Sequence, residues 1–217
     1  MRKKFGVVAV QSQAGAENAM GGIAQAAADN IPILILLGGN SLDQISVKPN
    51  FNAVQKYQGW VKQVEAIYSP TQVGAVMRRA FNALKNGPPG PVVVEMTTDV
   101  CQQNVPEEYQ NYKSPSYSLQ VPDTNGIAKA IELWQNSRKP VIWAGGGVLA
   151  SSGSIPLKEL AELTATPVFC TMPGKSSFDE RHPLALGAGC GTTTEMAHKW
   201  LTESDLIIAL GTSLTRS

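Results

Sequence analysis

The turn Gly145-Gly-Gly147-Val-Leu-Ala150 is one candidate for a chemical role in this sequence, although the motif alone is a weak signal. It follows an apolar run and precedes a helical pattern, so its backbone N–H groups could approach the pyrophosphate of a dinucleotide. Such a site also places an acid about 20 residues further on, where this sequence has Cys170 and Thr171. Two interpretations stay open: a tight strand-to-helix turn, or nucleotide contacts made by Gly145, Gly146 and Gly147.

The turn Gln13-Ala-Gly-Ala-Glu-Asn18 is a second candidate site. It joins an apolar run to a helical pattern, and a helix N-terminus in this position can face a ligand at the carboxyl edge of a sheet. Ordinary turn chemistry explains the same residues, with Gly15 for backbone freedom and Ala16 for close packing. Glu17 is interpreted as a first-turn carboxylate favoured by the helix dipole.

The remaining reactive side chains form no recognisable catalytic set. His182 and His198 have no Asp, Cys or Ser placed to complete a triad, so we expect both to be solvated. Cys101, Cys170 and Cys190 are odd in number and widely spaced, which supports neither a disulfide framework nor a zinc site. We therefore expect them to be buried small apolar groups in a protein of the reducing cytoplasm.

Strands and helices alternate in the first half and must position the first turn. Residues 5–10 predict a buried strand rather than the apolar region of a secretory signal, which would be longer. Residues 33–37 are apolar on both faces, as expected of a central parallel strand. Residues 40–64 are polar and irregular, which indicates a site or an interface. Residues 69–84 predict a capped helix before a buried strand at 91–96.

The second half repeats the alternation after a change of composition. Prolines punctuate a polar stretch at residues 101–122, which predicts an interdomain linker. Ile127, Ala130, Ile131 and Trp134 then share one helix face. Further strands are predicted at 141–144, 167–170 and 205–210.

Composition excludes several function classes. Of 217 residues, 43% are hydrophobic and only 6% aromatic, which fits helices packed on a buried sheet. Lys and Arg total 18 against 17 for Asp and Glu, so the charge argues against a nucleic-acid partner or an anionic membrane surface. The apolar stretch at 31–37 falls far short of the roughly 20 residues that span a bilayer.

Short motifs follow one another along both halves of the chain, mostly at ends of strands. They are Gly6-Val-Val-Ala-Val10, Gly15-Ala-Glu-Asn18, Asp29-Asn-Ile-Pro32, Gly90-Pro-Val-Val-Val-Glu95, Pro140-Val-Ile-Trp-Ala-Gly-Gly-Gly147, Pro173-Gly-Lys-Ser-Ser177 and Asp205-Leu-Ile-Ile-Ala-Leu-Gly-Thr212. Their order and spacing resemble the thiamine-diphosphate enzymes of the acetolactate synthase type. The first group resembles the pyrimidine-binding domain without its first strand and helices, and the second resembles part of the central domain.

The resemblance implies a thiamine-diphosphate-dependent 2-keto acid decarboxylase or carboligase, in which the cofactor stabilises a carbanion left by decarboxylation. It implies Mg²⁺ in the complete enzyme, a homo-oligomer (dimer or tetramer), and in some members flavin adenine dinucleotide bound near Gly145, Gly146 and Gly147. The family's catalytic glutamate would precede Met1, and its metal-binding motif would follow Ser217. We therefore expect no catalytic residue and no metal ligand here, and activity only as part of a longer chain.

The resemblance also assigns residues to the cofactor. The family's turn Gly-Pro-Gly-Ala-Thr-Asn lies over the pyrimidine ring and at a dimer interface, and it corresponds to residues 13–18, with alanine replacing proline and Glu17 replacing threonine. The family's Phe-Gln pair corresponds to Phe51-Asn52 or, in a shifted register, to Val54-Gln55. The cofactor-binding residues implied are Ala14, Gly15, Ala16, Asn18, Asn52 and Gln55.

Together these patterns predict an α/β protein with two doubly wound parallel-sheet units of three layers, both truncated. We assign residues 1–100 to a partial pyrimidine-binding domain, 101–122 to a linker and 123–217 to a partial central domain. Two other functions stay open. One is a non-catalytic subunit or interaction module with the same fold, and the other is a stand-alone nucleotide-binding protein.

Overall fold

A computed structural model describes residues 5–118, 120–189 and 192–214. The described chain folds into two compact units, the first ending at Gln120 and the second beginning at Val121. Each unit contains a four-stranded parallel sheet with helices on both faces. The predicted α/β class with doubly wound parallel sheets is confirmed.

The first unit has the strand order β1-β2-β4-β3. Its strands are β1 (Gly6–Val10), β2 (Ile33–Gly38), β3 (Gln63–Ile67) and β4 (Val92–Met96). Its helices are α1 (Ala14–Ala28), α2 (Ala53–Tyr57), α3 (Val73–Lys85) and α4 (Thr98–Cys101). Helices α1 and α2 pack on one face of the sheet, and α3 packs on the other.

The position of each strand in this sheet decides its burial. Strands β2 and β4 are central and buried, as their apolar sequences predict. The prediction that residues 5–10 are buried is wrong. Among the described strands, β1 pairs only with β2, which leaves Val7 and Val8 57% and 44% exposed. The stretch predicted to be irregular contains α2 and the start of β3, an edge strand whose half-exposed position suits its mixed polar sequence.

The second unit has the strand order β7-β6-β5-β8. Its strands are β5 (Pro140–Ala144), β6 (Val168–Thr171), β7 (Ala185–Gly189) and β8 (Leu206–Leu210). Its helices are α5 (Thr124–Asn136), α6 (Gly146–Ala150), α7 (Ser154–Thr164) and α8 (Glu195–Glu203). Helices α6 and α7 contribute to the core on one face of the sheet, and α8 packs on the other.

The predicted apolar face of α5 forms, but it is not buried. Ile127 and Ile131 are 44% and 50% exposed, whereas Trp134 packs against the core of the second unit. The adjacent edge strand β8 is similarly open, with Ile207 46% exposed. Among the described residues, β8 pairs only with β5 and so forms an open edge of the sheet.

The stretch predicted as a linker packs in part against α3. The Lys85 ammonium donates hydrogen bonds to Ser114 Oγ and to the Pro115 carbonyl, both at 2.7 Å. The rings of Phe81 and Tyr112 lie 6.0 Å apart. These contacts attach much of the stretch to the first unit, and the domain ranges stay a prediction.

The burial of the cysteines and the length of the helices can be compared with two further predictions. Cys170 is buried as predicted. The prediction is wrong for Cys101, which is exposed at the end of the short helix α4; Cys190 lies outside the described residues. Within the described ranges, no helix combines the length and apolar character needed to cross a membrane.

Candidate functional site

The carboxyl ends of three parallel strands lie side by side in the first unit. Val10 of β1 is in register with Leu37 of β2, and Leu37 is in register with Glu95 of β4. The turns that follow these strands therefore emerge at one edge of the sheet. Because ligands of open α/β sheets bind at this edge, the side chains that meet there form the candidate site.

A ring of three hydrogen bonds joins the loops at this edge. Gln13 Nε2 donates to Asn40 Oδ1 at 2.6 Å, Asn40 Nδ2 donates to the Phe51 carbonyl at 3.2 Å, and the Phe51 N–H donates to Gln13 Oε1 at 3.1 Å. Gln13 has a φ of 56° and a ψ of −116°, a backbone conformation that is uncommon and costly for a residue other than glycine. The ring links the turn after β1, the loop after β2 and the start of α2.

Helix α2 is held at both ends. At its start, Asn52 Oδ1 accepts the Gln55 N–H at 2.9 Å as an N-cap. At its end, the hydroxyl of the fully buried Tyr57 donates to the Ala16 carbonyl at 2.6 Å. The second contact attaches α2 directly to the first turn of α1. The two predicted cofactor-binding segments are thus adjacent in the structure.

Beneath this edge lies a buried carboxyl group. Glu95 is only 6% exposed and accepts a hydrogen bond from the Ala53 N–H. Burial raises the pKa of Glu95 above its ordinary value, and the Ala53 N–H opposes part of that rise. Gly39 faces the same side chain, since a Cβ there would lie 2.9 Å from Glu95 Cγ. Glu95 therefore fills the space between the loop after β2 and the start of α2.

Replacing Glu95 with glutamine is expected to stabilise the first unit at neutral pH by roughly 1 kcal/mol, since the amide still accepts the Ala53 N–H without burying a charge. A carboxyl whose pKa is raised by folding favours the folded state below its unfolded pKa and loses that contribution as pH rises through the folded pKa. The advantage of Glu95→Gln should therefore shrink as the pH is lowered towards 4.5, the ordinary glutamate value. Urea denaturation at a series of pH values measures this, with the exposed Glu108→Gln as control. A pH-independent difference would contradict it.

The predicted cofactor-binding residues differ in accessibility. Ala14, Asn18 and Gln55 are exposed, Gly15 and Asn52 are half-buried, and Ala16 is buried. The sequence analysis places Gln13 in the candidate turn and Glu95 at the end of a strand motif, but it does not predict that Gln13, Asn40 and Glu95 connect these segments. The available signal was the position of all three at the carboxyl ends of predicted strands, where polar residues are often functional.

The first turn of α1 begins with three small residues, Ala14, Gly15 and Ala16, and is partly exposed. Ala14 is exposed, and no side chain caps the helix because Gln13 points to Asn40 and Phe51 instead. A Cβ on Gly15 would lie 2.6 Å from Gln11 Cγ, so the exposed Gln11 side chain would have to move to make room for it. Backbone that is exposed in this way can contact a planar ring closely. Among the described residues, no group of three or more His, Cys, Asp or Glu side chains could hold a metal ion.

The glycine-rich turn of the second unit packs tightly against the end of β8. The N–H of Gly145 donates to the Leu210 carbonyl, and that of Gly147 donates to the Gly211 carbonyl, both at 2.8 Å. A Cβ on Gly145 would lie 2.3 Å from the Gly211 oxygen, and one on Gly147 would lie 2.8 Å from Gly211 Cα. These close approaches account for both glycines without a ligand, and two of the N–H groups available to a phosphate are already bonded.

The histidines differ from each other in their environment. His198 is exposed, as predicted. The prediction that His182 is solvated is wrong, because its side chain is 17% exposed and lies 4.9 Å from the Phe178 ring. His182 Nδ1 accepts the Leu184 N–H at 3.2 Å, and Nε2 lies 3.1 Å from Glu162 Oε1. These contacts fix a loop and leave the ring little freedom.

Comparison with known proteins relates each unit to one family. Residues 1–66 match the thiamine pyrophosphate enzyme N-terminal TPP binding domain, and residues 127–217 match the thiamine pyrophosphate enzyme central domain. The chain is 35% identical over 222 residues to a probable acetolactate synthase large subunit of Methanocaldococcus jannaschii, covering 95% of this chain and 36% of that protein.

Other relatives show the same coverage. Identity is 34% over 222 residues to a probable acetolactate synthase large subunit of Methanococcus aeolicus, covering 96% of this chain and 36% of the relative. The chain is 31% identical over 220 residues to the acetolactate synthase isozyme 3 large subunit of Escherichia coli, and the match covers 96% of this chain and 37% of that relative. The chain thus spans little more than a third of the length of the curated relatives it matches.

Proposed function

Because the chain belongs to the thiamine pyrophosphate enzymes, we propose that it acts within a longer 2-keto acid decarboxylase or carboligase of the acetolactate synthase type. One observation carries this proposal. The Gln13 turn, which corresponds to the family's cofactor-proximal turn, is bonded to the start of α2, which contains the counterpart of the family's second cofactor-proximal segment. The substrate class proposed is a small 2-keto acid.

In the proposed enzyme, thiamine diphosphate supplies the electron sink that stabilises the carbanion after decarboxylation. Six residues of this chain would lie near the aminopyrimidine ring: Ala14, Gly15, Ala16, Asn18, Asn52 and Gln55. The exposed start of α1 can present backbone to a ring face, and its N-terminal dipole favours electron-rich atoms there. We assign the Mg²⁺ and diphosphate ligands, and the acid that promotes ylid formation, to other parts of the complete enzyme.

A titration of this chain with thiamine diphosphate and Mg²⁺ tests that division of roles. Without a metal clamp, the charge-assisted contacts to the diphosphate are absent, so we expect a dissociation constant weaker than about 1 mM. Isothermal titration calorimetry measures it. Submicromolar binding by this chain alone would contradict the assignment of the diphosphate site to other residues.

A substitution in the complete enzyme tests the cofactor contact itself. Asn18→Ala should weaken thiamine diphosphate binding about fivefold to tenfold, the effect of losing one hydrogen bond to a ligand. Asn104→Ala is the matched control, since Asn104 is also exposed in the first unit but lies after α4. Equal affinities of the two variants would remove Asn18 from the proposed site.

The finer features of the proposal follow from the resemblance. We propose residues 1–100 and 123–217 as the two partial domains, joined by 101–122, and a homo-oligomer of the complete enzyme. The free thiols of Cys101 and Cys170 are consistent with the cytoplasm. Flavin near Gly145 stays a prediction of the resemblance, and the visible spectrum of the purified complete enzyme tests it.

A further inference from the structure

We infer that Gln13 is a positioning residue that fixes the loop after β2 and the start of α2 against the first turn of α1. Gln13 opens the turn that corresponds to the family's cofactor-proximal turn, but it is not among the residues that the resemblance assigns to the cofactor. The inference deepens the proposed function and rests on it only for the consequence for cofactor binding.

Gln13 combines an unfavourable backbone conformation with a hydrogen-bonded side chain. Its φ of 56° and ψ of −116° would suit glycine, yet a glutamine occupies the position. Glycine would relieve the backbone but would carry no side chain. The side chain present uses both its donor and its acceptor, with Asn40 Oδ1 at 2.6 Å and the Phe51 N–H at 3.1 Å. A costly backbone conformation thus coincides with a side-chain amide that both donates and accepts a hydrogen bond.

The hydrogen-bond partners of Gln13 are distant from it in the sequence. Asn40 lies 27 residues from Gln13 along the chain, and Phe51 lies 38 residues away. Asn40 closes the ring by donating to the Phe51 carbonyl at 3.2 Å. Phe51 is 8% exposed, and its backbone N–H and carbonyl are both used in this ring. With two hydrogen bonds of its own and the third between its partners, the Gln13 side chain orders the end of a long polar connection.

The ring of hydrogen bonds lies between the two segments that are proposed to contact the cofactor. Asn52, which follows Phe51, begins α2, and Ala14 follows Gln13 at the start of α1. The ring therefore sets the distance between two segments that must contact one ligand together. A loosened ring would leave each segment folded but would let the two drift apart.

The test on this chain compares Gln13→Gly, Gln13→Ala and Gln13→Glu with the wild type. Hydrogen exchange of residues 40–52 should be roughly tenfold faster in Gln13→Gly, although the overall stability does not fall, because the loss is local and the backbone is relieved. Gln13→Ala should show the same faster exchange with lower overall stability. Gln13→Glu keeps an acceptor for the Phe51 N–H, so its exchange should be closer to that of the wild type.

Asn30→Gly is the matched control, since Asn30 also has a positive φ, 54°, but lies beyond the end of α1. It should leave exchange of residues 40–52 unchanged. Unchanged exchange in Gln13→Gly would overturn the inference. In the complete enzyme, Gln13→Gly should raise the dissociation constant for thiamine diphosphate. The dissociation constant of Gln13→Glu should lie between those of Gln13→Gly and the wild type. Faster exchange with unchanged cofactor affinity would support the positioning role and overturn the proposed cofactor site.

Discussion

Replacing Gly145 with alanine is expected to lower the free energy of unfolding of the second unit by about 3 kcal/mol, because overpacking against backbone atoms cannot be relieved by rotating a side chain. The added Cβ would lie 2.3 Å from the Gly211 oxygen and 2.7 Å from Thr212 Cα. Urea denaturation followed by tryptophan fluorescence measures the change, since Trp134, Trp143 and Trp200 belong to the second unit.

The matched control for Gly145→Ala is Gly22→Ala in the exposed part of α1. No atom lies within 4 Å of a Cβ built on Gly22, so alanine there should stabilise the helix by about 0.5–1 kcal/mol. The comparison also separates the two interpretations of the glycine-rich turn. A ligand-free Gly145→Ala protein as stable as the wild type would show that packing does not require this glycine and would favour a nucleotide contact.

The central strands were predictable because their continuous apolar composition is typical of buried strands. Residues 33–37 are apolar at every position, and the structure places them between two neighbouring strands. Residues 5–10 have a similar sequence but lie at the edge. A sequence of this kind indicates a strand suited to burial, whereas its burial depends on which neighbours are present. Composition alone does not supply that information.

Two strands were missed for the opposite reason. Residues 63–67 alternate polar and apolar side chains after a long polar stretch, and residues 185–189 contain two glycines. Both strands lie at sheet edges, where one neighbour and partial exposure relax the requirement for continuous apolar residues. An edge strand can therefore lack a continuous apolar sequence, as β3 and β7 do, although β1 and β8 show that it need not.

The candidate site was predictable only at the level of segments. A turn between a strand and a helix marks residues 13–18, and a long polar connection marks the region that contains Phe51. The bonds from Gln13 to Asn40 and Phe51 join residues far apart in sequence, and no local pattern specifies such a pairing. Glu95 was also overlooked as a linking residue, because an acid at the end of an apolar strand gives no sign of the backbone N–H that it accepts.

Tyr57 connects the core of the first unit to the candidate site. Its ring is fully buried beside Phe51 and Trp60, with centroids 6.0 and 5.1 Å away, and its hydroxyl donates to the Ala16 carbonyl. Tyr57→Phe should keep the packing and lose only the hydrogen bond, a cost of about 1 kcal/mol. Tyr68→Ala is a control for losing a tyrosine ring at a 41% exposed position, where we expect a small effect.

Tyr57→Ala should lower the free energy of unfolding of the first unit by about 4 kcal/mol, because it removes a large buried ring and leaves a cavity between α1, α2 and the sheet. Urea denaturation monitored by circular dichroism measures the loss. A decrease below about 1 kcal/mol would mean that α2 does not form part of the core. If the loss is large in Tyr57→Ala and small in Tyr57→Phe, then packing holds α2 in place, and the hydroxyl serves mainly to orient the first turn of α1. The same side chain would then join the stability of the sheet to the geometry of the turn at its carboxyl edge.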